Sequence, residues 1–282
     1  MTTSATTSAP TPSTALRSTS SYTIYVVTPR DYKHSATFHE VAKGLQEGMA
    51  ELGLVARIVT DPREIRGRAI VLGANLLLPL PSDCIVFNLE QFESGWMTDQ
   101  YLYLLRNHEV WDYSQRNIEQ LRTKGIEAKY CGIGYEPGLT TVLPREETVD
   151  VLFYGSNFGR RLPILSAIEA MGLRVKVLFG VYGEERDNWI ARSKIVLNIH
   201  AYDRAPFEIV RVSYLLANRR FVLSEPEVPE ALRQGVACGR TETLPELAYF
   251  YARNPSAREG IAAEGFKLFT ATRQAEYLRP LL

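Results

Sequence analysis

Cysteine is scarce in this sequence. Cys84, Cys131 and Cys238 are the only three, far apart, odd in number and without a CxxC pair, which fits neither a disulfide framework nor a zinc site and points to a reducing cytoplasm. Net charge is missing as well: 32 Lys and Arg are matched by 32 Asp and Glu. No overall field therefore draws the chain to nucleic acid or to an anionic membrane, and an anionic ligand must be held by local groups. No apolar run reaches the roughly 20 residues that span a bilayer. The nearest, "LGANLLLPLPSDCIVF", is cut by Pro79, Pro81 and Asp83, so no transmembrane segment is expected. The sequence has no Asp-x-Asp triplet, no HExxH and no clustered His or Cys, so no metal site is expected either. It also lacks a repeat of the roughly 20 to 50 residues that builds a solenoid.

What is present is ordinary globular material, 45% hydrophobic and 23% charged over 282 residues, a length that suits two α/β domains. Met1 to Ser21 is almost entirely Thr, Ser, Ala and Pro. That composition buries too little apolar surface to offset the entropy of ordering and is read as a disordered tail. A secretory signal is not expected there, since one needs a basic start and an apolar centre. From Tyr22 the chain alternates short β-rich runs (Tyr22 to Thr28, Val55 to Thr60, Ala69 to Gly73, Cys84 to Phe87) with stretches of helical spacing such as Phe38, Val41, Ala42, Leu45, Met49 and Leu52 before Gly53. Residues 134 to 148, "GYEPGLTTVLPREET", lose periodicity and read as an interdomain linker. The rhythm then restarts with a strand at Val149 to Tyr154, a helix at Leu162 to Met171, and strand–helix alternation to Ser224 before a mostly helical end. Such alternation predicts parallel sheets covered on both faces. The expected fold class is α/β, two Rossmann-like parallel-sheet domains facing a cleft, with a tail at 1–21 and domains at 22–145 and 146–282.

Two constellations carry chemistry. In "VDVLFYGSNFGRR" a buried strand runs into Gly155, Ser156, Asn157 and Gly159, and Arg160 and Arg161 open a helix. Ligands of open α/β sheets bind at the carboxyl ends of strands. Backbone N–H groups at a helix start, with two arginines, suit a diphosphate. The spacing is neither GxGxxG nor a Walker loop, so it licenses neither a dinucleotide nor ATP, and a plain strand-to-helix turn with solvated arginines is the competing account. In the second, Ala191 to Glu225, a strand ends at Asn198 and His200. A loop with Asp203, Arg204 and Pro206 follows, a helix carries Glu208 and Arg211, and the next strand ends at Ser224 and Glu225. Glu208, placed in the first helical turn, is positioned to accept hydroxyls of a ribose or sugar, to stabilise the helix dipole, or to pair with Arg211. His200 fits a donor contact or a structural hydrogen bond.

With those residues in view, "YGSNFGRR", "FGVYGEERDNWIARSKIVLNIHAYD" and "FEIVRVSYLLANRRFVLSE" resemble the donor-binding half of GT-B glycosyltransferases, in particular short bacterial proteins of the family 1/family 4 type. "DYKHSATFHEVAKGL", "IVFNLEQF" and "VWDYSQRN" resemble their N-terminal half. The resemblance implies a nucleotide-sugar donor held mainly by the C-terminal domain, by Gly155, Ser156, Asn157, Arg160, Arg161, His200, Glu208, Arg211 and Glu225. It also implies a hydroxyl acceptor, glycan, lipid-linked or protein, facing the N-terminal domain. Many members carry an E-A-x-x-x-G segment whose Glu contacts the ribose; here Tyr214 stands at the acidic position, so either Glu208 takes over or the contact is absent.

Without a metal, leaving-group charge must be met by the helix start and the arginines. For an inverting transfer a base is needed on the acceptor side. His34, on the loop after the first strand with Asp31, is the first candidate, and Glu90, in "FNLEQF" with Asn88 and Gln91, the second. A retaining enzyme needs no such base, so the stereochemistry stays open. The expected activity is metal-independent transfer of a sugar from a nucleotide-diphosphate sugar to a hydroxyl, with no cofactor. A nucleotide-sugar epimerase and a non-catalytic nucleotide-sugar-binding module are the alternatives.

Overall fold

In the computed structural model, residues 21–77, 79–201 and 206–282 are described. Residues 1–20 of the expected tail, and Asp203 and Arg204, lie outside them, while Ser21 is already the first residue of a strand. The N-terminal unit runs β1 (Ser21–Val26), α1 (His39–Glu51), β2 (Val55–Val59), β3 (Arg68–Leu72), β4 (Ile85–Asn88), α2 (Asp99–Arg106), β5 (Glu109–Asp112), α3 (Gln115–Arg122) and β6 (Ala128–Tyr130). The C-terminal unit runs β7 (Val149–Tyr154), α4 (Arg161–Ala170), β8 (Val175–Leu178), α5 (Gly183–Ala191), β9 (Ser193–Asn198), α6 (Ile209–Ala217), β10 (Val222–Ser224), β11 (Ala237–Cys238), α7 (Leu244–Arg253), α8 (Pro255–Thr270) and α9 (Gln274–Leu278).

Both sheets are wholly parallel among the described residues, in the orders β2-β1-β3-β4-β5-β6 and β11-β10-β9-β7-β8. Helices on both faces explain why their central strands are apolar at most positions, since side chains of either parity are covered. Ile24, Ile70, Ile85 and Trp111 face one core with α1, and Tyr25, Val71, Val86 and Val110 face the other with α2 and α3. In the second sheet Leu152, Val196 and Val222 pack with α6, while Val151, Phe153, Ile195 and Leu223 pack with α4 and α7. Each sheet reverses its direction of winding once, between β1 and β3 in the first and between β7 and β9 in the second. A loop leaving a strand at such a switch point faces a ready crevice. Here these are the loops after β1, carrying His34, and after β7, carrying Gly155.

The segment between the sheets is clamped rather than loose. The Asn218 side-chain oxygen accepts from the Thr141 and Val142 backbone N–H groups at 2.7 and 2.8 Å, and its amide donates to the Leu139 carbonyl. Arg273 reaches the buried carboxylate of Glu136 at 2.6 Å. The sequence expectation assigns everything from 146 onward to the second unit, but α9 crosses back onto α1. The Gln274 side chain accepts from the Gly134 N–H and donates to the Gly132 carbonyl. Gly48 of α1 leaves the space for this crossing, since a Cβ there would stand 3.0 Å from the Ala275 nitrogen.

Candidate functional site

A cleft of about 410 Å³ lies where the carboxyl ends of the two sheets meet. Its N-terminal wall comes from the loops after β1 (Tyr32, His34), β3 (Asn75), β4 (Leu89, Glu90, Gln91) and β5 (Tyr113). Its C-terminal wall comes from Tyr154, Gly155 and Ser156 after β7, residues 178 to 182 after β8, Arg186 of α5, and Glu208, Val210, Arg211 and Tyr214 around the start of α6. Among the described residues the walls touch at three polar points. His34 Nδ1 is 2.7 Å from the Tyr182 hydroxyl, Arg186 donates to Glu40 at 2.8 Å, and the Gln91 amide donates to the Pro206 carbonyl at 3.4 Å.

On the N-terminal wall, Glu90 follows β4 with no cation in hydrogen-bond contact among the described residues. One carboxyl oxygen accepts from the Asn75 amide at 3.2 Å. Burial pushes its pKa up to about 7, against the lowering effect of that one bond. The Tyr113 hydroxyl is raised by burial and then by the charges of Asp112, Glu208 and Glu90, which places it among carboxyl groups of both walls. His34 is held by aromatic neighbours: Phe179 at 5.1 Å and Tyr32 at 5.3 Å between ring centroids, besides Tyr182. Gly180 permits this approach, because a side chain there would meet Lys33 and His34.

On the C-terminal wall the expected donor residues separate into two layers. Gly155, Ser156, Glu208 and Arg211 line the cleft. Gly155 has a φ of 142°, and a Cβ on it would stand 3.0 Å from Arg211 Nη2, so only glycine lets that guanidinium lie across the loop. Arg211 packs over the Phe153 and Tyr154 rings at 5.7 and 5.5 Å and donates to Asn198 Oδ1 at 3.1 Å. Among the described residues no carboxylate lies within hydrogen-bond distance of it.

Arg160, Arg161, His200 and Glu225 form the layer beneath and do not line the cleft, and Asn157 is exposed beyond it. Arg160 grips Glu225 through two bonds of 2.6 Å and also donates to the His200 carbonyl and Thr241. Arg161 is buried and donates to the Ile199 carbonyl and to Ser156, with Glu208 at 3.6 Å. Burial, then the neighbouring Arg211 charge, pulls its pKa down to about 10. Glu208 is the N-cap residue of α6 and makes no cap bond; it does not stand in the first turn. Its carboxylate turns to His200 Nδ1 at 2.9 Å, and His200 Nε2 faces the Pro226 carbonyl at 2.9 Å. Burial opposes the charge on both, but the hydrogen bond and mutual attraction prevail, lowering the Glu208 pKa and raising that of His200. Acceptors at both ring nitrogens favour the doubly protonated imidazole, which alone can donate to both.

Arg186 and Asn75 are among the lining residues that escaped the sequence reading, and Tyr214, noted there only for standing at the acidic ribose-contact position, lines the cleft in another role. Arg186 is buried, bonded to Glu40 and Asp187, and stacked 4.5 Å over the Tyr214 ring. Tyr214 gives its hydroxyl to Asp187 at 2.8 Å, tying α6 to α5. Asn75 follows Gly73-Ala74 at the end of β3, the same small-residue strand end that marked Gly155, and that resemblance was the available signal.

No protein-family model and no curated protein matches the chain. Solved structures do. A DNA-modifying β-glucosyltransferase, determined with and without the substrate uridine diphosphoglucose, superposes with a TM-score of 0.59 at 15% identity, covering 93% of this chain and 98% of that one. The T4 phage β-glucosyltransferase in complex with UDP and Mn2+ gives 0.56 at 14% identity over the same shares. TarM of S. aureus, in complex with fondaparinux, α-GlcNAc-glycerol and UDP, gives 0.55 at 7% identity, covering 76% of this chain and 54% of that one. The fold is that of the GT-B glycosyltransferases. In this GT-B arrangement no helix among the described residues is long and apolar enough to cross a membrane.

Proposed function

We propose that the cleft transfers a sugar from a nucleotide-diphosphate sugar to an acceptor hydroxyl, with the donor on the C-terminal wall and the acceptor on the N-terminal wall. The observation that carries this reading is the pairing across one cleft of Arg211 over the Gly155 loop, which among the described residues has no carboxylate within hydrogen-bond distance, with a carboxyl titrating near neutrality, Glu90. The GT-B neighbours solved with UDP or uridine diphosphoglucose support a uridine nucleotide as the first donor to test.

In this mechanism Arg211, with the Gly155 and Ser156 backbone, meets the diphosphate. Arg160, Arg161 and His200 act from beneath, fixing Glu225, Ser156 and Glu208. The acceptor oxygen attacks the anomeric carbon, the bond from that carbon to the diphosphate oxygen breaks, and the acceptor proton passes to the Glu90 carboxylate. Charge gathers on the departing diphosphate, where fixed guanidinium groups are worth most. A base with a pKa near 7 serves such proton removal at neutral pH. His34 clasps the two walls through Tyr182. Metal independence fits a site in which arginines supply the positive charge. Three unpaired cysteines, two of them buried, fit a reducing cytoplasm.

Incubation with a panel of nucleotide sugars tests the reading. Release of free nucleotide that needs both Glu90 and Arg211 is the expected result. Isomerised donor, or binding without turnover, would replace transfer with epimerisation or with a binding module.

A further inference from the structure

Beneath Glu90 lies a polar knot that the reaction scheme does not use. Asp112, at the end of β5, is fully buried and has no cationic partner among the described residues. Its Oδ2 accepts from the Asn88 amide at 2.6 Å. Both carboxylate oxygens are 3.3 Å from the Asn117 amide, and Oδ1 accepts from the Ser114 N–H at 2.8 Å. Asn88 and Asn117 are also fully buried. Each turns its amide nitrogen to the Glu90 carbonyl, at 3.1 and 2.9 Å. Each turns its oxygen to a backbone N–H of the same loop, Asn88 to Glu90 and Asn117 to Phe92, both at 3.2 Å. Tyr101 donates to the Asn88 oxygen at 3.0 Å.

An asparagine amide can face either way, and its neighbours decide which. Two acceptors lie between the amide nitrogens, the Glu90 carbonyl and the Asp112 carboxylate, and of the two Asp112 is the side chain that holds both asparagines from outside the loop. We propose that Asp112 is a positioning residue for Glu90: through the paired amides of Asn88 and Asn117 it fixes the 90–92 backbone, and with it the direction of the Glu90 carboxyl. The proposal rests on Glu90 being the base. Burial, resisted by the bonds from Asn88, Ser114 and Asn117, pushes the Asp112 pKa up to about 7, in keeping with a group that receives only neutral donors.

The test is Asp112→Asn, which keeps the shape but sets an amide nitrogen against one of its neighbours, so that one asparagine flips and a loop N–H loses its acceptor. Turnover should fall by about 10- to 100-fold, as misplacement of a reacting group on the 1 Å scale does. The donor KM should stay unchanged, and amide hydrogen exchange at Glu90 or Phe92 should accelerate while exchange in the second sheet does not. Where thermal melting shows that Asp112→Asn is not folded, Asn117→Ser is measured instead, with the same expectation for the Phe92 amide and for turnover. Unchanged turnover and unchanged exchange in a folded variant overturn the proposal. Glu90→Gln, run alongside, separates the two ideas: if it keeps full turnover, the base assignment has failed and the positioning role falls with it. If Glu90→Gln abolishes turnover while Asp112→Asn changes neither rate nor exchange, only the positioning role has failed.

Discussion

The two walls of the cleft treat their carboxyl groups in opposite ways, apart from Glu40, which lines the N-terminal side and is paired with Arg186 of the other. On the C-terminal wall the carboxylates of the site among the described residues have cations: Glu225 has Arg160, and Glu208 has His200, with the Arg211 and Arg161 charges also holding it ionised. On the N-terminal side Glu90, half-buried, and Asp112, fully buried, receive among the described residues only amide and backbone N–H donors, and burial pushes both pKa values up to about 7. Burial without a counter-charge lifts a carboxyl's pKa, whereas burial with one holds the carboxyl ionised. The first arrangement makes a group that can exchange a proton at neutral pH, and the second a rigid frame of fixed charge. Under the proposed function the walls divide between proton transfer and anion binding, and that division is open to attack from either side.

The largest effect falls on the proton-transfer wall. Glu90→Gln should lower turnover by about 100- to 10,000-fold, the usual contribution of a positioned base, with donor affinity unchanged. A product assay with saturating donor reads it. In the parent the rate should climb with pH through about 7 as Glu90 ionises, and the variant should lack that limb.

The framework predicts a second kind of failure. Arg160→Ala leaves Glu225, with its side chain only 3% exposed, without its bidentate partner. Breaking such a pair by removing one member costs about 3–5 kcal/mol. A drop in melting temperature exceeding any change in the donor's intrinsic affinity would separate Arg160 from the groups that touch ligand.

A subtler effect concerns stability and pH. At pH 4, below the ordinary glutamate value, Glu90 is protonated whether the chain is folded or not. As pH rises toward 7 the unfolded chain ionises first, so the folded state loses stability, and the full cost is present above 7. Glu90→Gln should therefore raise stability at pH 8 by on the order of 2–3 kcal/mol and leave it unchanged at pH 4. Thermal melts at the two pH values check the sign.

His34→Ala should have the smallest effect. Its ring is committed to Tyr182 across the walls, and a lost neutral hydrogen bond is worth about 0.5–1.5 kcal/mol. A turnover loss as large as that of Glu90→Gln would make His34 the base instead.

Much of this was legible in the residues. The alternation of β-rich runs with helical spacing foretold two parallel sheets, because strands buried on both faces must be apolar throughout and α-helical crossovers must separate them. The loop after β7 and Glu90 were visible because strand ends in such sheets face the crevice. What escaped was the fate of side chains whose partners come from distant strands. Arg160 and Arg161 stand next to the cleft in sequence, but the Ile199 carbonyl and Glu225 rise beneath them from β9 and β10 and take their donors. The stretch 134–148, rich in Pro, Gly and Thr, read as a linker. Its order depends on Asn218 and Arg273, more than 70 residues further along the chain. Asp112 gave no sequence signal at all, since its meaning lies in two asparagines from other elements.

Calorimetric titration of UDP into the parent, Arg211→Ala and Glu90→Gln tests the division of the walls most directly. Arg211→Ala should bind more weakly by about 1.5–3 kcal/mol, the worth of a hydrogen bond to a charged group, while Glu90→Gln binds as the parent does. Normal UDP binding by Arg211→Ala together with lost binding by Glu90→Gln would place the nucleotide on the N-terminal wall and contradict the account.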